Sequence, residues 1–279
     1  MAHQQPNPFR LLHQRPPQSS EGWVLDIVPS LDRAIVAAPT AGGTIKIFDA
    51  NNLSEAGSIN IRRGNADSTI SEVVFDTTNN ALLWSADKGG AVGLWDLRSG
   101  AQALSHDGVE VRAPVLSLSV NSNHTLLAAG TELVGDDAKI LFWDVRNGLA
   151  PLAEFIECHS DDVTQVRFHP EQPNAMMSGS TDGLVCLYNL ETFDEDDALY
   201  QVIKEDSVHK IGYFGPSYEY LYCLTHMETF SLWQFSEAER VYQFGDIRMQ
   251  TPEAKVDYLI DCAYDAETQR MYLLSGSQE

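Results

Sequence analysis

The chain has 279 residues, a net charge of −22 and 43% hydrophobic residues, so it can build a packed core. The charge argues against direct nucleic-acid binding, because affinity for a phosphate backbone comes from Lys and Arg displacing counterions. No apolar run approaches the roughly 18 residues of a membrane span and the N-terminus lacks the apolar block of a secretory signal, so a cytoplasmic or nuclear protein is expected.

Residues 1–20 carry Arg10 and Arg15 and no acid, yet Pro6, Pro8, Pro16 and Pro17 oppose the amphipathic helix of a transit peptide. This stretch is read as a flexible tail, and residues 21–279 as one repeat domain. Five segments then end in an aromatic followed by a polar residue. They close on Phe48-Asp49, Trp95-Asp96, Trp143-Asp144, Tyr188-Asn189 and Trp233-Gln234, at intervals of 47, 48, 45 and 45 residues. A period of that size is shared by helical solenoids and by propellers, so its contents decide.

Those contents are strands. Residues Val163–Phe168 alternate apolar and polar, and the turn cluster HPEQPN separates them from the apolar run AMMSG. The tight turn Ser180–Gly183 (STDG) leads to LVCLYN, and Ala198–Ile203 supplies a fourth strand. Four antiparallel strands per period make one propeller blade. By the same pattern the first blade takes Val24–Val28, Ala34–Ala38, Thr44–Asp49 and Ala56–Ile61. The second takes Ile70–Phe75, Ala81–Ser85, Ala91–Asp96 and Ala101–Leu104. The third takes Val115–Val120, Thr125–Ala129, Lys139–Asp144 and Leu152–Phe155. The fifth takes Val208–Tyr213, Tyr220–Leu224, Phe230–Phe235 and Arg240–Phe244. A sixth unit has only Tyr258–Tyr264 and Met271–Gly276.

The fold class is therefore all-β, a propeller of five blades plus a partial sixth. A ring hides its strand edges only when closed. The domain is accordingly expected to be C-terminally incomplete, with about 60–100 further residues needed for six or seven blades.

The WD endings, the STDG turn and His159 ahead of the fourth blade resemble the WD40 family. What that resemblance implies is an internal network linking a loop His, a strand Ser or Thr, a turn Asp and the aromatic of the third strand. In the fourth blade those places fall on His159, Ser178 or Ser180, Asp182 and Tyr188, with Tyr188 standing where the family has Trp. The second blade has Asp87 and Trp95 but no matching His, and the third lacks the Asp-Gly turn. The stretches Cys158–Leu190, Gly130–Gly148, Asp194–Leu199 and Tyr220–Gln234 are similar to an intracellular, non-catalytic branch of the family whose members run on past this end with further repeats.

No catalytic, cofactor or metal residues are expected. The His, Ser and Asp are strand-packing residues with no nucleophile elbow beside them, and no glycine-rich phosphate loop is present. Gly42-Gly43 and Gly89-Gly90 fall at blade turns. Cys158, Cys186, Cys223 and Cys262 lack zinc-site spacing and read as reduced thiols buried in strands. Cys223-x-x-His226 has no second pair.

Two features point to protein partners. Trp95–Arg98 (WDLR) and Trp143–Arg146 (WDVR) place an Arg two residues after WD in consecutive blades. They resemble the box by which propellers dock on the adaptor of cullin-type ubiquitin ligases, with Arg98 and Arg146 offering planar forks to carboxylates. The other feature is acid: residues 151–279 hold 24 Asp and Glu against 7 Lys and Arg, while residues 1–150 hold 16 against 11. Asp194, Glu195, Asp196 and Asp197, with Asp161, Asp162, Glu205 and Asp206, suggest a receptor for a basic protein such as a histone or ribosomal protein. The reading is a non-enzymatic interaction scaffold, with ligase receptor and acidic chaperone as alternatives.

Overall fold

The computed structural model describes residues 12–15, 22–61, 69–106, 113–250 and 255–278. They form five four-stranded antiparallel sheets, each a meander in chain order, and a sixth sheet of two strands. Blade 1 holds β1 (Val28–Pro29), β2 (Ile35–Pro39), β3 (Thr44–Asp49) and β4 (Glu55–Asn60). Blade 2 holds β5 (Ile70–Phe75), β6 (Leu82–Asp87), β7 (Val92–Asp96) and β8 (Ala101–His106). Blade 3 holds β9 (Val115–Val120), β10 (Leu126–Thr131), β11 (Ile140–Asp144) and β12 (Ala150–Phe155). Blade 4 holds β13 (Gln165–Phe168), β14 (Ala175–Gly179), β15 (Leu184–Asn189) and β16 (Leu199–Lys204). Blade 5 holds β17 (Val208–Phe214), β18 (Tyr220–Thr225), β19 (Thr229–Gln234) and β20 (Arg240–Asp246), and the last sheet β21 (Tyr258–Asp265) and β22 (Arg270–Gly276).

Third strands expected to end at residues 49, 96, 144, 189 and 235 end at Asp49, Asp96, Asp144, Asn189 and Gln234. The described helices are single turns, α1 (Glu195–Ala198) and α2 (Ile247–Gln250), with one 3-10 turn at Val145–Asn147. The acidic tract expected as a loop is thus partly α1. The first strand of blade 1 is shorter than the predicted Val24–Val28. Asp26 takes the Ile27 N–H at 2.7 Å and Pro29 has none to give, so the ladder shrinks to β1 and an isolated Val24–Thr40 bridge.

Apolar side chains pack between sheets rather than within one. Five clusters separate successive sheets, from Ala37, Ile45 and Leu83 between blades 1 and 2 to Leu224, Phe230 and Leu259 between blade 5 and the last sheet. The first strands β5, β9, β13, β17 and β21 are consecutive neighbours and form the inner wall. Arg167 on β13 reaches past β9 to Glu72 on β5, Nη2 to Oε1 at 3.2 Å.

One local device recurs without a signature in the sequence. In all five blades the pairing of third and fourth strands shifts register at the aromatic: between Ile47 and Phe48, Leu94 and Trp95, Phe142 and Trp143, Leu187 and Tyr188, Leu232 and Trp233. A bulge there leaves one outer residue unpaired and sharpens the twist of the outer strand. In blades 3, 4 and 5 that residue is an exposed apolar one, Leu152, Tyr200 and Val241.

Candidate docking face

A meander sends its connections alternately to opposite ends. The turns from first to second and from third to fourth strand leave at one end; those from second to third strand, and the links between blades, leave at the other. Arg98 and Arg146 therefore share an end, from which the connection holding Asp194–Asp197 also leaves before Glu195 reaches back to the link at residues 156–158, whereas Asp161, Asp162, Glu205 and Asp206 lie at the opposite end. The acids that are near in sequence are divided by topology.

Each WDxR turn closes on itself. Asp96 accepts the Arg98 backbone N–H at 2.9 Å, its Nε at 3.0 Å and its Nη2 at 2.9 Å. Asp144 holds Arg146 at 2.9, 3.0 and 3.0 Å. The guanidinium hydrogen bonds hold both carboxyls below the usual carboxylate range and raise both arginines. The arginine side chains are still 70% and 66% exposed, so the outer edge of each fork faces solvent in a fixed orientation. Sequence reasoning missed a third such turn, Asp246-Ile247-Arg248, with distances of 3.0, 2.9 and 2.8 Å. It follows a fourth strand and so lies at the other end. The Asp-x-Arg fork is in the first place a turn closure, and only position makes it a docking element. Blades 1 and 4 close the corresponding turn through Asp49, which accepts from Asn51 and Asn52, and through Asn189.

The first-to-second turns at this end are hooked blade to blade. In blades 2, 3 and 4 the residue after the inner strand caps its own turn: Asp76 accepts from Thr78 and Asn79, Asn121 from Thr125 and Leu126, His169 Nδ1 from Glu171 and Gln172. Leu31 N–H donates to Asn80, Thr77 to the Asn121 carbonyl at 2.7 Å, and Asn121 Nδ2 to the Pro173 carbonyl at 3.1 Å. His124 also meets buried Asp76, which takes the Trp84 indole N–H at 3.1 Å. A cavity of about 330 Å³ opens within this end, lined in part by Leu118, Val120, Arg167 and Phe168.

The family network is present in blade 4 and runs through Ser178, not Ser180. His159 Nδ1 meets Asp182 at 3.0 Å, its Nε2 meets Ser178 Oγ at 2.6 Å, and Ser178 meets the Tyr188 hydroxyl at 2.9 Å. Ser180 instead receives the Asp182 N–H and donates to the Asp161 carbonyl. Burial opposes the charged form of Asp182, but the His159 contact and the N–H groups of Ser160 and Leu184 hold its carboxyl below the usual range. Burial likewise pushes the Tyr188 hydroxyl well up. All four side chains are buried. In blade 2, Trp95 donates to Ser85 at 2.8 Å; Trp143 of blade 3 is buried; in blade 1, Phe48 lies under the Arg15 guanidinium, which also bonds Glu55. Arg15 thus sits against blade 1; most of the expected tail lies outside the described residues.

The acidic tract is less free than its composition suggests. Glu195 accepts the N–H groups of Ile156, Glu157 and Cys158 at 2.7–2.8 Å, and Asp194 caps α1 through the Asp197 N–H. Glu205 takes the Trp233 indole N–H at 2.7 Å, and Asp162 takes the Leu133 N–H. Asp196 and Asp197 remain exposed. The four cysteines are free; Cys158 lies in a link and is only half-buried, a departure from the expected strand. Among the described residues no three His, Cys, Asp or Glu side chains are grouped for a metal ion, and no helix is long and apolar enough to cross a membrane.

The model of the WD domain, G-beta repeat, matches residues 105–144 and 150–189. Over 265 residues the chain is 31% identical to the WD repeat-containing protein 89 homolog of Dictyostelium discoideum, covering 91% of this chain and 67% of that protein. It is 33% identical over 249 residues to the WD repeat-containing protein GTS1 of Arabidopsis thaliana, covering 86% and 61%. Human nucleoporin Nup43 is 29% identical over 155 residues, covering 54% and 38%. The chain thus spans about three fifths to two thirds of the length of the first two relatives.

Proposed function

The chain belongs to the WD40-repeat family, and from that premise we propose that it is a non-enzymatic protein-interaction scaffold docking through the end that carries Arg98 and Arg146. The observation that carries this reading is the pair of exposed forks in consecutive blades, held rigid by their own aspartates. Two guanidinium edges fixed in this way offer bidentate contacts to carboxylates on a partner at little further entropic cost. The buried His159–Ser178–Asp182–Tyr188 chain fits a fastening role and leaves the loop ends as the working surface.

The finest partner we propose is the adaptor of a cullin-type ubiquitin ligase, met in the cytoplasm or nucleus, where free thiols such as these four are the rule. The test is co-purification of that adaptor with the wild type and with Arg98→Ala/Arg146→Ala. Loss in the double variant at an unchanged melting temperature supports the reading; retained capture, or none by the wild type, overturns it. A basic protein is the second reading, favoured by exposed Asp196 and Asp197 and the net charge of −22. Because Asp194 and Glu195 serve the local fold, its test uses Asp196→Asn/Asp197→Asn alone. Such a contact weakens as salt shortens the Debye length from about 10 Å at 0.1 M to about 3 Å at 1 M. Binding of a basic partner that ignores both salt and the double variant overturns it.

A further inference from the structure

The cavity at the docking end has a chemistry of its own. Its volume is about 330 Å³, and Leu31, Val74, Phe75, Leu118, Val120 and Phe168 supply its apolar walls. Two hydroxyls on it are already engaged: Thr77 donates to the Asn121 carbonyl and Ser119 accepts the Phe168 N–H. Of its other polar groups, Ser122 is half-buried, the His169 ring spends its Nδ1 on the turn, and Arg167 keeps 25% of its side-chain exposure. Its guanidinium meets Glu72 at 3.2 Å and the carbonyls of Val166 and Leu118 at 3.1 and 3.4 Å, which leaves part of its five-donor fork unspent. No carboxylate lines the cavity, although the chain carries 40 acids against 18 bases. Burial pushes the Glu72 carboxyl up despite the pull of Arg167 and Lys210.

We propose that this cavity seats one large apolar side chain of an acidic peptide segment on a partner protein, with a flanking carboxylate of that segment on Arg167. The size suits a single anchor residue, since ligand pockets begin at about 300 Å³. An apolar wall with one cation and no acid selects against a basic segment, because such a segment would bring like charge to a partly desolvated guanidinium. The inference rests on the scaffold reading above and adds to it the chemistry of the occupant at a neighbouring place on the same end.

Fluorescence anisotropy on the 279-residue chain tests it with three labelled pentapeptides: Asp-Asp-Phe-Asp-Asp, Lys-Lys-Phe-Lys-Lys and Asp-Asp-Ala-Asp-Asp. The first should bind about tenfold more tightly than the other two, the usual scale for an anchor residue or a complementary charge. Ser122→Trp, a plug on the half-buried rim, should weaken it by about tenfold at an unchanged melting temperature. Replacing Glu72 and Arg167 together by Gln avoids stranding a buried carboxylate. That variant should lose the preference for acid over base and keep the preference for Phe over Ala. Equal binding of the acidic and basic Phe peptides, no saturable binding by the wild type, or indifference to Ser122→Trp overturns the proposal. Peptide binding without adaptor capture overturns only the ligase reading, and adaptor capture without peptide binding overturns only this one.

Discussion

In blade 4 the third-strand aromatic, Tyr188, hangs on a chain that runs through Ser178 and His159 to Asp182. In blade 5 the corresponding Trp233 reaches out of its own sheet to Glu205, in the link from the preceding blade, while also donating to its neighbour Ser231 at 2.9 Å. Both aromatics sit at a register shift, where the outer strand leaves the ladder and a buried polar tip needs a partner. The comparison teaches that the position of the aromatic is constant and the residue that satisfies it is not. Both fastenings run through the link from the preceding blade, but blade 4 carries its chain on through His159 to Asp182 in its own turn, whereas blade 5 ends on Glu205. Loss of a contact in either should loosen the seam with the preceding blade, and in blade 4 also the turn that holds Asp182.

The largest effect expected from this contrast is at Tyr188. It is fully buried, with its ring 5.8 Å from that of Phe155, and Tyr188→Ala should cost about 3–5 kcal/mol in urea titration. A cost under about 1 kcal/mol would mean that the blade 3–4 layer collapses around the gap and that the network is dispensable. Next comes Glu205→Ala, which leaves the Trp233 indole N–H with Ser231 alone and removes a charged acceptor; it should cost about 1.5–3 kcal/mol, with Glu205→Gln recovering most of it. If the Gln variant is as unstable as the Ala variant, the latch depends on charge rather than on an acceptor.

The two fastenings should also differ in how they combine. Tyr188→Phe and Asp182→Asn act on one chain of contacts, so their costs should fall short of additive by about 0.5 kcal/mol or more. Tyr188→Phe and Glu205→Ala share no partner and should add. Additivity in both cycles would deny that the blade 4 residues form a single network.

Acid acts on both regions. Burial holds His169 and His209 below the ordinary imidazole value, with His226 and Lys210 adding to the effect at His209. For such groups the folded state prefers the neutral ring. Their contribution is therefore whole above the ordinary value of about 6.5 and is lost as pH falls through the lowered folded values. Asp182 has the same sign at lower pH: its contribution is present above about 4 and is lost as pH falls through its depressed value. His169→Asn keeps a turn-capping acceptor, the choice already made at Asn121, and should flatten the first loss without touching the second. An unaltered stability profile between pH 7 and 5 in that variant would remove His169 from the account.

The smallest effect is expected at Asp196 and Asp197. Both are exposed, so Asp196→Asn/Asp197→Asn should change stability by less than about 0.5 kcal/mol, whereas Glu195→Gln disturbs the three N–H groups it caps. Equal melting temperatures for the two variants would mean that the Glu195 cap contributes nothing.

The sequence by itself determined the repeat, the four-strand content of each blade and the ends of the third strands to within one residue. Alternating hydrophobicity and turn residues are local properties, and they survive in a linear reading. The resemblance to the WD40 family, carried by the local Asp-Gly turn and the WD endings, located His159, Asp182 and Tyr188. Only the tertiary structure decided that Ser178 rather than Ser180 joins them, since Ser178 lies within β14 beside β15 while Ser180 has left the strand and is spent on the turn and the Asp161 carbonyl. Only it showed that Glu195 serves backbone N–H groups and that Glu205 serves Trp233, because hydrogen bonds across 28–39 residues leave no periodic trace. The same holds for Arg167 and Glu72, which are 95 residues apart and meet because the inner strands of successive blades stand side by side. A charge in a sequence looks solvated until the fold brings its partner, and that physical fact is why the blades were legible and the docking end was not.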